Sequence, residues 1–285
     1  MDRRRFIRSS TAAATAGLVL PRLAGAAGAL PRPSIRRLER VGLQLYTVRS
    51  MMSESVDRTL ETVAEIGYEE VEFAGLFDRT PEQVAETLKR VGLSAPATHH
   101  GIDVFRDGFE EAADVATTLG HEYLVLPSLP RAELASADAV RRVADEMNAF
   151  GGRCNDVGLR FGFHNHAVEL QMIDGAVPLR VFLEHTEPDL VTFEVDLFWM
   201  IHGGGDPLEY FEAFPGRFAL CHVKDRTPEG DMVDVGDGVI DFAKIFGAAE
   251  RAGLRHYFVE HDTPDDAAQS IADSFGHLAA LDIPS

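Results

Sequence analysis

The chain has 285 residues, of which 45% are hydrophobic and 26% charged, and its formal net charge is −19. That is the composition of a globular protein with one large core or two small ones. The acidic balance lacks the basic footprint of a nucleic-acid binder and disfavours polyanionic partners, while leaving uncharged sugars open.

The N-terminus reads as a targeting segment, followed by a short linker at 30–39 and one domain at 40–285. Asp2-Arg3-Arg4-Arg5-Phe6-Ile7-Arg8 is followed by an apolar stretch of small residues from Ser10 to Leu20. The small-x-small sites Ala24-Gly25-Ala26 and Ala27-Gly28-Ala29 come next. Residues 1–29 thus resemble a twin-arginine export signal, with Asp2 where Ser or Thr is usual. The apolar stretch is much shorter than the roughly 20 residues of a membrane span, and no cysteine beside it offers a lipid anchor. The expectation is an exported periplasmic or secreted protein that meets the Tat export machinery already folded and has no stable membrane anchor. Cleavage removes five arginines and one aspartate, taking the formal charge from −19 to −23.

From Arg40 onward, β-branched and aromatic runs alternate with amphipathic segments, as in repeated βα units. Strands are predicted at Val41–Tyr46, Glu70–Phe73, Ala95–His99, Tyr123–Leu126, Arg160–His164, Thr192–Asp196, Ala219–Val223 and Tyr257–Glu260. Gly67, Gly92, Gly120, Gly158 and Gly253 each follow a helical pattern and precede a strand. Cys154 and Cys221 fall in a predicted helix and a predicted strand, and read as small buried hydrophobes.

Several strands stop at a residue that binds metal or moves protons. From Glu72 to His100 is 28 residues, from His164 to Asp196 is 32, from Asp196 to His222 is 26 and from His222 to Glu260 is 38. The gap of 64 between His100 and His164 holds two units. Each step is close to one βα repeat, and eight repeats over about 245 residues predict a single-domain (β/α)8 TIM barrel. No GxGxxG or GxxxxGK[ST] phosphate loop is present. Gly203-Gly204-Gly205 and Gly236-Asp237-Gly238 read as turns.

Residues of this kind are costly to bury unpaired, so their recurrence at one rim points to a shared polar site. His164, Asp196, His222 and Glu260 form a mixed imidazole and carboxylate set. Such a set suits a divalent ion such as Mn2+, Co2+ or Zn2+ better than Mg2+, which favours oxygen ligands. His166 lies two residues beyond His164 and faces the same way, as an acid or base beside the metal or a fifth ligand in place of His164. Lys224 is placed to stabilise an oxyanion. Glu72, His100, Asn165 and Trp199 complete the expected substrate contacts.

Val41-Gly-Leu-Gln-Leu-Tyr-Thr-Val-Arg49, Gly67-Tyr-Glu-Glu-Val-Glu72, Phe163-His-Asn-His166, Asp196-Leu-Phe-Trp199, Cys221-His-Val-Lys-Asp225 and Val259-Glu260 resemble the sugar phosphate isomerase/epimerase family of xylose-isomerase-like TIM barrels. The resemblance implies a metal at the C-terminal mouth, chelation by adjacent substrate oxygens, and proton abstraction beside a carbonyl to give an enediolate. It also implies that Glu260 both binds the metal and acts as acid or base. One departure matters: ketose epimerases of this superfamily carry a glutamate at the end of strand five, where this chain has His164.

The leading expectation is therefore a metal-dependent isomerase or epimerase of an unphosphorylated sugar or keto-sugar. A lyase or hydratase acting on a 3-keto-glycoside uses the same groups, and a periplasmic sugar-binding protein is the non-catalytic alternative. Acidic charge and export oppose a relative of the AP-endonuclease branch. A small-molecule sugar, rather than nucleic acid, is the expected partner, and a homo-oligomer is compatible with the sequence.

Overall fold

Eight of the apolar runs become strands, labelled β1 Gly42–Gln44, β2 Glu70–Phe73, β3 Ser94–His99, β4 Tyr123–Leu126, β5 Arg160–His164, β6 Val191–Asp196, β7 Phe218–Val223 and β8 His256–Val259. In this computed structural model, which describes residues 35–284, every strand pairs in parallel with the next and β8 closes on β1. The fold is the expected (β/α)8 TIM barrel. The expected export signal, residues 1–29, lies outside the described residues. Part of the expected linker does not: Ile35–Arg36 pairs antiparallel with Ile283–Pro284.

Local chemistry explains the returning helices. Ser55 accepts a hydrogen bond from the Arg58 N–H and opens the helix Val56–Ile66, which buries Val56, Leu60 and Val63. Gly67 closes that helix at φ 119°, a backbone angle that side chains resist. The other four predicted stops, Gly92, Gly120, Gly158 and Gly253, also have positive φ. Among the described residues, no helix is long and apolar enough to cross a membrane. Cys154 and Cys221 are buried and free.

Strand register sets the site. His164 stands beside Glu194, and Asp196 beside His222. Because side chains alternate along a strand, Glu194 shares a face with Asp196. One step towards the strands' N-terminal ends, Ala97, Tyr123, Val125, Leu220 and Phe258 form a separate apolar cluster. The polar layer therefore rests on a packed floor, and the main core lies between strands and helices.

Candidate metal centre and active site

Asp196, His222 and Glu260 bring one ligand atom each to within 4.8 Å of one another. The His222 Nδ1 lies 2.6 Å from Glu260 Oε2 and 4.0 Å from Asp196 Oδ2. Both Asp196 Oδ2 and His222 Nδ1 are buried without an aligned hydrogen bond. A nitrogen and carboxylate oxygens converging in this way is the arrangement of ligands around a cation. Charge points the same way: Glu72, Glu194, Asp196 and Glu260 are all buried, against one buried lysine, Lys224. These residues fit the expected divalent metal. His164 stands between this centre and a deeper group, with its Nε2 3.7 Å from Asp196 Oδ2.

The supports of Asp196 come from its own strand end. Its Oδ1 accepts the Trp199 N–H at 2.8 Å and caps the helix Leu197–His202. Asn165 holds the Asp196 backbone from both sides, accepting its N–H at 3.1 Å and donating to its carbonyl at 3.4 Å. Only Oδ2 is left to face the centre. Burial raises the Asp196 carboxyl to about 6, against the pull of Lys224 and His222.

Lys224 is buried with its Nζ 2.9 Å from Asp196 Oδ2, 2.8 Å from Glu260 Oε2 and 2.8 Å from Asp262 Oδ1. Burial disfavours its charge, but the three carboxylates more than offset this and hold the ammonium protonated. The same partnership keeps Glu260 ionised: burial opposes ionisation, while Lys224 and His222 lower its pKa well below the usual range. Burial, reinforced by Lys224, lowers His166 to about 4, so its imidazole is neutral near pH 7. Burial and His222 likewise keep His164 neutral.

His99, His164, His166, Lys224, Glu260 and Asp262 open onto one cavity of about 520 Å³, whose outer wall carries Tyr46 and Arg49. This volume suits a small ligand. The Arg49 guanidinium stacks 4.1 Å from the Tyr46 ring centroid.

Four expected substrate contacts are placed differently. Glu72 lies beneath the rim, fully buried, accepting from Gln44 Nε2 at 2.7 Å and meeting His222 Nε2 at 2.6 Å. On β3 it is His99, not His100, whose imidazole reaches the cavity, because alternation along the strand puts His99 on the inward face with Ala97. Asn165 and Trp199 sit behind Asp196, with the Trp199 ring 5.6 Å from that of His166, and neither lines the cavity. Sequence reasoning missed Gln44, His99 and Glu194. The signal for Glu194 was available, since it precedes Asp196 by two residues on the same strand.

The fold and this constellation define a barrel enzyme with polar chemistry at the C-terminal ends of its strands. The chain belongs to the xylose isomerase-like TIM barrel family, whose model matches residues 60–281. It is 24% identical over 232 residues to an inosose dehydratase of Geobacillus kaustophilus, covering 67% of this chain and 74% of that protein. It is 26% identical over 148 residues to an inosose dehydratase of Lacticaseibacillus casei, covering 46% of this chain and 49% of that protein. Among solved structures, a sugar phosphate isomerase/epimerase from Parabacteroides distasonis is 26% identical. It superposes with a TM-score of 0.76 over 85% of this chain and 94% of its own. The family expectation holds, and so does that of an enzyme of the sugar isomerase/epimerase kind, with dehydratases among its relatives.

Proposed function

We propose that the chain is a metal-dependent lyase that removes a proton beside the carbonyl of an unphosphorylated cyclic keto-sugar or keto-polyol and expels a β-oxygen. The supporting observation is the composition of the centre. Where two-carboxylate epimerisation requires a second glutamate, His164 stands, and besides Glu260 the cavity carries the neutral imidazole of His166 as a base. The inosose dehydratases among its relatives favour elimination over isomerisation.

Asp196, His222 and Glu260, with His164 beside them, would hold the divalent cation. When bound, it supplies Lewis acidity to a carbonyl oxygen. His166 takes the α-proton, and the C–H electron pair moves towards the carbonyl, where the Lys224 ammonium stabilises the developing oxyanion. The electrons then return to form the carbon–carbon double bond as the β C–O bond breaks. His166 returns its proton to the departing oxygen, so water or an alcohol leaves and the residue is neutral again.

Sugar isomerisation is the second reading, supported by the Parabacteroides distasonis relative. Metal-loaded protein incubated with cyclic keto-sugars and keto-polyols in deuterium oxide separates the two by NMR. The lyase reading expects an unsaturated product, with deuterium exchange lost in His166→Ala although the metal is retained. An isomer or epimer without unsaturation would transfer the assignment to the second reading, and inertness towards the whole panel would overturn both. We further propose export through the Tat route, supported by the order of basic, apolar and small-x-small segments in residues 1–29. Replacing Arg4 and Arg5 with lysine would then leave folded protein in the cytoplasm.

A further inference from the structure

Beneath the metal centre lies a second buried group that the proposed chemistry does not use. Glu194 Oε2 is 2.8 Å from His99 Nε2, 3.2 Å from His164 Nδ1 and 3.2 Å from His222 Nε2. Glu72 Oε2 adds a contact to the same His222 nitrogen at 2.6 Å. Glu194, His164 and His222 are all essentially excluded from solvent. The three imidazoles come from β3, β5 and β7 and the carboxylate from β6, so the group spans the inside of the barrel.

An ionised carboxylate can only accept hydrogen bonds, so the nitrogens facing it must carry hydrogen. His222 faces a carboxylate at each nitrogen, Glu72 at Nε2 and Glu260 at Nδ1, both at 2.6 Å, so it keeps its hydrogen on Nε2 when a cation takes Nδ1. For His164, Glu194 places the hydrogen on Nδ1 and leaves Nε2 towards Asp196. A metal binds an imidazole through its unprotonated nitrogen, and the partner of the other nitrogen selects the tautomer.

We propose that Glu194 is a positioning residue: through His164 Nδ1 it fixes Nε2 as the nitrogen which that imidazole presents to the cation, while Glu72 holds Nε2 of His222. The proposal rests on the metal centre described above and is independent of the substrate. The same oxygen accepts from His99 on the cavity floor, so Glu194 orients two rings at once. The other oxygen, Oε1, is buried without a partner, so every hydrogen bond of this carboxylate goes to the histidines.

The test uses the full chain, labelled with 15N-histidine and loaded with Zn2+. Long-range 1H–15N spectra, assigned with single-histidine variants, report the state of each ring nitrogen. The proposal expects a protonated Nε2 and metal-bound Nδ1 in His222, and a protonated Nδ1 in His164. In Glu194→Gln, whose amide can also donate, the His164 preference is lost while that of His222 stays, and Zn2+ affinity, read by competition with a chromophoric chelator, falls roughly 10- to 100-fold. Glu194→Asp restores part of the affinity, whereas a purely structural role would be read in the melting temperature of the metal-free protein and not in the tautomers. Should Glu194→Gln fail to fold, the wild-type spectrum still decides. The opposite tautomers in a protein that loses Zn2+ on Asp196→Ala would overturn the positioning role and leave the centre standing. Two bound Zn2+ per chain, one lost on His99→Gln, would make the lower group a metal site and overturn it too. No Zn2+ binding in the wild type would overturn the centre and the proposal together.

Discussion

The ammonium of Lys224 stands 2.8 Å from Glu260 Oε2, on the same oxygen that approaches His222 Nδ1. It also meets Asp196 Oδ2 at 2.9 Å, so a lysine charge already bridges two of the three carboxylate and imidazole ligands of the proposed centre. Asp262 is the one partner of Lys224 outside that set, and it keeps the ammonium at the cavity when a cation takes up Asp196 and Glu260.

Lys224→Met therefore raises metal affinity while lowering turnover. Two like charges about 4 Å apart repel by about 4 kcal/mol at an effective dielectric constant of 20, an upper bound from which an affinity gain of at least about tenfold is expected. Chelator competition measures the affinity, and initial rates on a responsive keto-sugar measure the turnover. Weaker metal binding in the variant would show that Lys224 organises the ligands instead of competing with the cation.

Glu169 makes a separate claim on pH. It is fully buried behind His166, whose backbone N–H it accepts at 2.8 Å, and burial raises its carboxyl from 4.5 to about 7. A carboxyl whose folded pKa exceeds its unfolded one binds its proton more tightly when folded. Its contribution to stability is thus present below about pH 4.5 and is lost as the pH rises to about 7. Glu169→Gln keeps the acceptor oxygen and has no charge to bury. Urea unfolding should show the variant gaining on the wild type by about 3 kcal/mol between pH 4.5 and pH 8. A pH-independent difference would contradict the buried-carboxyl account.

Asp225, next to Lys224, serves the loop over the β7 end. Its two carboxylate oxygens accept the backbone N–H groups of Arg226, Gly236, Gly238 and Ile240 at 2.8 to 3.2 Å. A Cβ on Gly238 would lie 2.2 Å from Asp225 Oδ1, so the close approach requires glycine there. Asp225→Ala orphans four donors and should cost on the order of 3 kcal/mol. Hydrogen exchange at Gly236, Gly238 and Ile240 would accelerate while the barrel strands stay protected. Unchanged exchange at these amides would contradict the anchoring role.

The barrel was legible because strand β4, Tyr123–Leu126, and strand β5, Arg160–His164, are short apolar runs bounded by glycine stops and turns. Their predicted limits match the structure, as do those of β2, Glu70–Phe73, and the other five strands shift only at their ends. The polar rim residues were legible because a polar residue closing an apolar run is conspicuous. What lay one layer deeper was harder to read. Glu194 interrupts Val191–Asp196 from within, and Gln44 sits inside an apolar strand, where a polar residue gains meaning only when its partners across the barrel are known. The choice between His99 and His100 depended on which face of β3 points inward, which the run Ala95-Pro-Ala-Thr-His99 does not mark. The Gly236-Asp237-Gly238 turn was recognised, but its fastening by Asp225 required the folded loop.

The central claim is that Asp196, His222 and Glu260, with His164 beside them, hold one divalent cation. Elemental analysis of purified wild-type protein, Asp196→Ala and His222→Ala, each checked for a native circular dichroism spectrum, tests it most directly. The account predicts one equivalent of a divalent metal in the wild type and loss of that metal from both variants. A folded wild type that takes up no metal, or variants that keep a full equivalent, would contradict it.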